Sequence, residues 1–157
     1  MCRSSWRATR LGRPMTQACE LVLRNRLEEI PRIAETVERF CQMHGLAPRI
    51  AMQLTLALDE LATNAISHGF APDVAYADAI RLRLTLDGHA VQAVIEDRGR
   101  PFDPLSVPPA DTALGLEARA VGGLGVHLVR AVMDDVRYER RDGKNRVHLR
   151  KRYDNEG

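Results

Sequence analysis

The chain has 157 residues, enough for one domain with a sizeable core and little more. Hydrophobic residues at 45% and charged residues at 28% exclude disordered, collagenous and low-complexity classes, and aromatics at only 4% argue against a base-stacking surface. The net charge of +2 is unevenly spread, with four arginines and no acid in residues 1–14, eight basic against two acidic residues in 137–152, and a net acidic stretch between.

Residues 1–14 are basic but lead into no apolar core segment, so a secretory signal is not expected there. They are expected to be a flexible extension holding the only tryptophan, Trp6, with the patterned domain spanning 15–153 and Met15 a plausible second start. Three widely spaced cysteines (Cys2, Cys19, Cys41) without a CxxC argue against zinc and for a reducing, cytoplasmic setting. No apolar run approaches the ~20 residues of a membrane span.

Alternation around Leu21 and Leu23 predicts a strand over 17–26. Ile30, Ile33, Ala34, Val37, Phe40 and Cys41 then recur at helical spacing, with Pro31 suited to a first turn and Gly45 to a helix end. A second helix is expected from about Pro48 to His68, stopped at Gly69. Residues 80–86 and 90–96 predict two strands joined at Asp87-Gly88. Residues 98–122 are rich in Pro, Gly, Asp and Ala, with a short helical turn expected at Leu114–Val121. A loop of about 20 residues in so small a domain is usually functional, often a lid. A third helix is predicted over 125–134, followed by strands 135–141 and 145–152 across Asp142-Gly143. The basic residues of this last hairpin fall beside apolar ones, the pattern of a solvated outer face rather than a nucleic-acid stripe. The order strand, two helices, hairpin, helix, hairpin predicts an α+β two-layer sandwich, helices on one face of a mixed, mainly antiparallel sheet.

Three segments carry chemistry. On the second helix, Leu54, Leu58, Leu61 and Ala65 take the buried spacing while Glu60, Asn64 and His68 line up at i, i+4 and i+8. This polar rail is either a solvated edge with His68 at a favourable helix end, or a site where Asn64 ligates a hard cation beside Glu60 as base. In Val94-Ile95-Glu96-Asp97-Arg98-Gly99-Arg100-Pro101-Phe102-Asp103-Pro104 an apolar strand ends at Asp97. Asp97 there is either a turn initiator or an acceptor for an exocyclic amine such as adenine's, and Gly99 allows close approach. In Gly122-Gly123-Leu124-Gly125-Val126 glycines lead into a helix whose Val126, Val129 and Met133 point inward. Bare amides at a helix start suit phosphates, or the glycines are only a hinge. The segment is neither a P-loop nor a dinucleotide fingerprint.

In order and spacing the three segments resemble the N, G1 and G2 boxes of the GHKL (Bergerat) ATPase superfamily. LALDELATNAISHG, EDRGRPFDP and GGLGVHLVRAVMDDVRYERRDGKNRVHLRKR further resemble the anti-sigma regulatory factors, the serine/threonine protein kinases of bacterial partner switching. The resemblance covers roughly residues 17–152. It implies a general base at Glu60, a magnesium ligand at Asn64, a phosphate-proximal position at His68 and adenine recognition by Asp97 with Gly99. It implies phosphate contacts along Gly122, Gly123, Leu124, Gly125 and Val126, and an ATP lid over 103–121. The implied activity is transfer of phosphate from Mg-ATP to an anti-anti-sigma (STAS-type) partner, with sequestration of a sigma factor and possible homodimerisation. A binding-only ATP switch is the alternative, and a nucleic-acid binder using 137–152 would leave the three boxes without a purpose. Two departures stand out: Pro101 replaces the usual last glycine of the G1 box. Where relatives often place a threonine toward adenine, this chain reads Lys144-Asn145-Arg146.

Overall fold

A computed structural model describes residues 18–106 and 124–153. Strand β1 (Ala18–Leu23) is followed by helices α1 (Pro31–Met43) and α2 (Pro48–Gly69), then strands β2 (Ile80–Asp87) and β3 (Ala90–Asp97). Helix α3 (Leu124–Val132) and strands β4 (Asp135–Arg141) and β5 (Lys144–Arg152) complete the chain. The five strands form one sheet in the order β1-β2-β3-β5-β4. Every one of its four pairings is antiparallel, so the sheet is simpler than the mixed one expected. The helical turn expected at Leu114–Val121 and most of the expected lid lie outside the described residues; of the lid, Pro104–Ser106 forms a short 3₁₀ turn.

Alternation decides which face is covered. Leu21 and Leu23 of β1, Ile80, Leu82 and Leu84 of β2, Val91, Ala93 and Ile95 of β3 and Val147 and Leu149 of β5 are buried against the helices. From the other layer come Ile33, Val37 and Phe40 of α1, Leu54, Leu58 and Leu61 of α2, and Val126 and Val129 of α3. Each fully buried aliphatic side chain contributes roughly 1.5–3 kcal/mol. The opposite face of the sheet is solvated, and several of its basic residues are paired: Arg146 and Lys144 with Glu96, His148 with Glu139, Arg150 with Asp87. This is the outer face expected of the terminal hairpin.

Element boundaries depart from expectation where a local hydrogen bond intervenes. β1 stops at Leu23 because Asn25, buried, turns its amide to the loop beyond α2, donating to the Val74 carbonyl and accepting from Tyr76 N–H. α3 stops at Val132 because Asp134 N–H bonds to the Arg150 carbonyl and draws the chain into the sheet. The β2–β3 turn is Gly88-His89 rather than Asp87-Gly88, since Asp87 still pairs with Ala90 and Gly88 takes the positive φ of 58°. Asp142-Gly143 is the β4–β5 turn as expected, with both residues at positive φ.

Candidate functional site

The site lies where the carboxyl ends of α2 and β3 meet. α2 turns its apolar stripe to the sheet, which leaves Glu60, Asn64 and His68 on an adjoining flank, Glu60 and Asn64 part-buried and His68 exposed. Glu60 sits directly against the first turn of α3: a Cβ added at Gly125 would collide with the Glu60 carboxylate. A side chain at 125 would therefore push the flexible end of Glu60 out of the place it takes against α3. Asn64 stands one turn further along. His68 packs its ring against Phe102, centroids 5.6 Å apart, at the base of the segment following β3. Asp59, beside Glu60, leaves its Oδ1 buried without a hydrogen-bond partner among the described residues, and burial followed by the Glu60 charge raises its pKa.

Helix and strand ends are joined without side chains between them. Arg100 N–H donates to the Gly69 carbonyl at 2.9 Å, and a Cβ at Gly99 would come within 2.8 Å of Gly69 Cα. The close approach expected of Gly99 is thus to the last residue of α2. Gly69 ends the helix with no positive φ, so glycine there serves no left-handed cap; an added Cβ would press on Gly99 Cα at 3.3 Å.

Asp97 closes β3 beside this junction. Its Oδ1 accepts from Gly99 N–H at 2.9 Å and from Asn145 Nδ2 at 2.9 Å. Both bonds fall on one oxygen; Oδ2 has no partner among the described residues. Burial pushes the Asp97 carboxyl above the ordinary aspartate range, against the opposing pull of those two bonds and of the Arg140 charge.

Asn145, flagged above only as a departure, is the central polar residue of this region. It faces Asp97 across the β3–β5 pairing and is 3% exposed. Besides Asp97, its Nδ2 donates to the Arg100 carbonyl at 2.7 Å. Its Oδ1 accepts from Phe102 N–H at 3.2 Å, Tyr138 O–H at 2.6 Å and Arg140 Nη1 at 3.1 Å. Arg140 Nη1 also reaches the Gly99 carbonyl at 3.0 Å. The sequence did hold one signal: an asparagine, disfavoured in strands, inside an otherwise apolar and basic strand. The pairing of β5 with β3 that gives it a role was not legible.

At the other end, α3 is held by Arg130 of its last turn, which donates to the Leu105 carbonyl at 2.9 Å. Of the expected phosphate segment, Gly122 and Gly123 lie outside the described residues. Leu124 opens the helix, Gly125 abuts Glu60, and Val126 is buried in the core as its spacing predicted. Val126 can thus offer a ligand only its backbone.

The described residues contain no cluster of three or more His, Cys, Asp and Glu able to hold a metal. A hard cation that keeps most of its waters needs no such cage: one amide oxygen on Asn64, next to a carboxylate, fits magnesium carried in by a polyphosphate. Carboxylate acceptor, amide oxygen and helix start together can receive an amine, a cation and an anion. Those are the three ends of a metal-bound nucleoside triphosphate.

Comparison with known proteins gives the family and the fold. The serine/threonine-protein kinase BtrW of Bordetella bronchiseptica is 36% identical over 101 residues, 64% of this chain and 70% of that protein. The serine-protein kinase RsbW of Bacillus subtilis is 28% identical over 94 residues, 57% of this chain and 58% of that protein. This chain thus spans little more than half of the Bacillus relative. A solved structure of the RsbU and RsbW domains of Rv1364c from Mycobacterium tuberculosis superposes with a TM-score of 0.64 at 19% identity. That match takes in 89% of this chain and 33% of the other, and shows the shared fold. Residues 23–151 match the histidine kinase-like ATPase domain, and the chain belongs to that family.

Proposed function

We propose that residues 15–153 form an ATP-dependent protein serine/threonine kinase of the anti-sigma type. It transfers phosphate to a STAS-type anti-anti-sigma protein and sequesters a sigma factor when that protein is phosphorylated. The observation that carries this reading is the Glu60 carboxylate lying against the first turn of α3, one helical turn before Asn64. A base, an oxygen ligand and a helix start suited to anions are what phosphoryl transfer to a hydroxyl requires. The relatives named as serine and serine/threonine kinases support the same reaction.

Asp97 receives the adenine amine on Oδ2, and Gly99 keeps the strand end close to α2. The amides of the 122–126 segment cradle phosphate, and His68 stands at the far end of the rail. Asn64 holds magnesium, which when bound neutralises charge on the phosphates. Glu60 accepts the proton of the serine or threonine hydroxyl as its oxygen bonds to the γ-phosphorus and the bond to the ADP oxygen breaks. The protein acts in the cytoplasm, in keeping with the buried Cys41 thiol, whose pKa burial pushes up to about 11. No described helix is long and apolar enough to cross a membrane. Homodimerisation belongs to this reading; direct nucleic-acid binding does not, since basic residues of the terminal hairpin are engaged in ion pairs.

The test is incubation with labelled ATP and the STAS-type protein, with and without Glu60→Gln. Transfer by the unaltered protein is expected, falling by roughly 10²–10⁴-fold in the variant while nucleotide affinity changes little. Normal transfer by the variant removes Glu60 from the chemistry. Partner binding that responds to ATP without any transfer would establish the binding-only switch instead.

A further inference from the structure

We infer that Asn145 is the positioning residue that makes Asp97 selective for a purine 6-amino group: it turns Oδ2 to the cleft and holds the Arg140 guanidinium off the carboxylate. This inference rests on the reading of the cleft as an adenine nucleotide site.

The Asn145 amide has one orientation that its surroundings accept. Three donors converge on its oxygen (Phe102 N–H, Tyr138 O–H, Arg140 Nη1) and two acceptors on its nitrogen (Asp97 Oδ1, Arg100 carbonyl). Flipping the amide would set donors against donors and acceptors against acceptors at 3% exposure, so the nitrogen is pinned toward Asp97. With Gly99 N–H, that nitrogen saturates Oδ1. Oδ2 is then the acceptor that remains, fixed in direction by a backbone amide on one side and a buried side chain on the other.

The second half of the role concerns Arg140. Its Nη1 is spent on the Gly99 carbonyl and Asn145 Oδ1, and its Nη2 on the Gly143 carbonyl at 3.0 Å. Asn145 thus stands between a guanidinium and a carboxylate that already feel each other's charge. Without its amide, Arg140 loses an acceptor and Asp97 a donor. A direct ion pair satisfies both, and in it the carboxylate turns away from the amine. A hydroxyl at position 145 could not bridge five partners in this way.

The experiment compares calorimetric binding of ATP with purine riboside triphosphate, which lacks only the 6-amino group, in the unaltered protein and in Asn145→Ala. The unaltered protein is expected to favour ATP by roughly 10–100-fold, the range for a hydrogen bond to a charged group. In Asn145→Ala this ratio should fall by about tenfold. Adding Arg140→Ala should recover part of it, because the competing cation is gone. A merely structural role would weaken both nucleotides alike and leave the ratio intact, and that result overturns the proposal. Should Asn145→Ala fail to fold, Tyr138→Phe, which removes one donor to the amide oxygen, must lower the same ratio; an unchanged ratio there also overturns it. Loss of the positioning role leaves ATP selectivity of the unaltered protein in place. Equal binding of the two nucleotides by that protein overturns the adenine assignment itself.

Discussion

In the proposed site Asp97 accepts an amine most strongly when ionised, yet it sits in surroundings that disfavour its charge. Burial, the largest influence, raises its pKa, so the ionised form at neutral pH costs stability. With a raised pKa, the stabilising contribution is full below the unfolded value and lost as pH rises through the folded one. Binding has the opposite sign: affinity for ATP should decline on acidification, beginning above the ordinary aspartate range near 3.9. Asp97→Asn keeps an oxygen for Gly99 and Asn145 but presents an amide to the cleft. It is expected to cost roughly 10–100-fold in ATP affinity, with a melting temperature unchanged or raised. Calorimetry against pH, with a thermal melt of the variant, checks both halves. Of this residue's setting, the position at a strand end was readable from the sequence around Asp97 and Gly99. The five-partner amide beneath it was not, because register between β3 and β5 is set by tertiary pairing.

The junction of α2 with β3 shows how elements constrain each other. Gly69 and Gly99 touch backbone to backbone, and each occupies the space a side chain of the other would need. In Gly99→Ala the new Cβ would meet Gly69 Cα at 2.8 Å and its carbonyl oxygen at 2.9 Å, both main-chain atoms that cannot swing aside. A loss of about 1–3 kcal/mol is expected, the usual cost of overpacking, with nucleotide binding weakened by the displaced helix end. Denaturant unfolding together with ATP titration reads both. Sequence patterning located these elements well, since α2 carries a clear apolar stripe and the final hairpin an Asp-Gly turn. Ends were misplaced by two or three residues where a tertiary bond decides them, as with Asn25 after β1 and Asp134 after α3. Neither glycine's reason for being glycine was visible, because the two lie thirty residues apart in the chain and meet only in the fold.

At the scale of the molecule, five antiparallel strands beneath the three described helices leave one end of the sandwich for the proposed cleft, and that end has a consequence of length. Asn64 lies five residues before Gly69, about 7.5 Å along a helix at 1.5 Å per residue. Gly69 is clamped to the segment that carries Asp97, with no compressible side chain between. The fold therefore behaves as a gauge block: the span from Asp97 to Asn64, the proposed amine acceptor and cation ligand, is set by the helix rise and by the backbone contact at Gly69 and Gly99. A nucleotide anchored at Asp97 engages Asn64 only if its phosphate chain is long enough to bring a cation to the other jaw. Magnesium should strengthen ATP and ADP binding and leave AMP binding unaltered, while Asn64→Ala should erase the difference without changing AMP affinity. Titrations of the three nucleotides with and without the metal measure the gauge directly. Magnesium-dependent AMP binding would mean that the two jaws are not held apart as the helix and strand require.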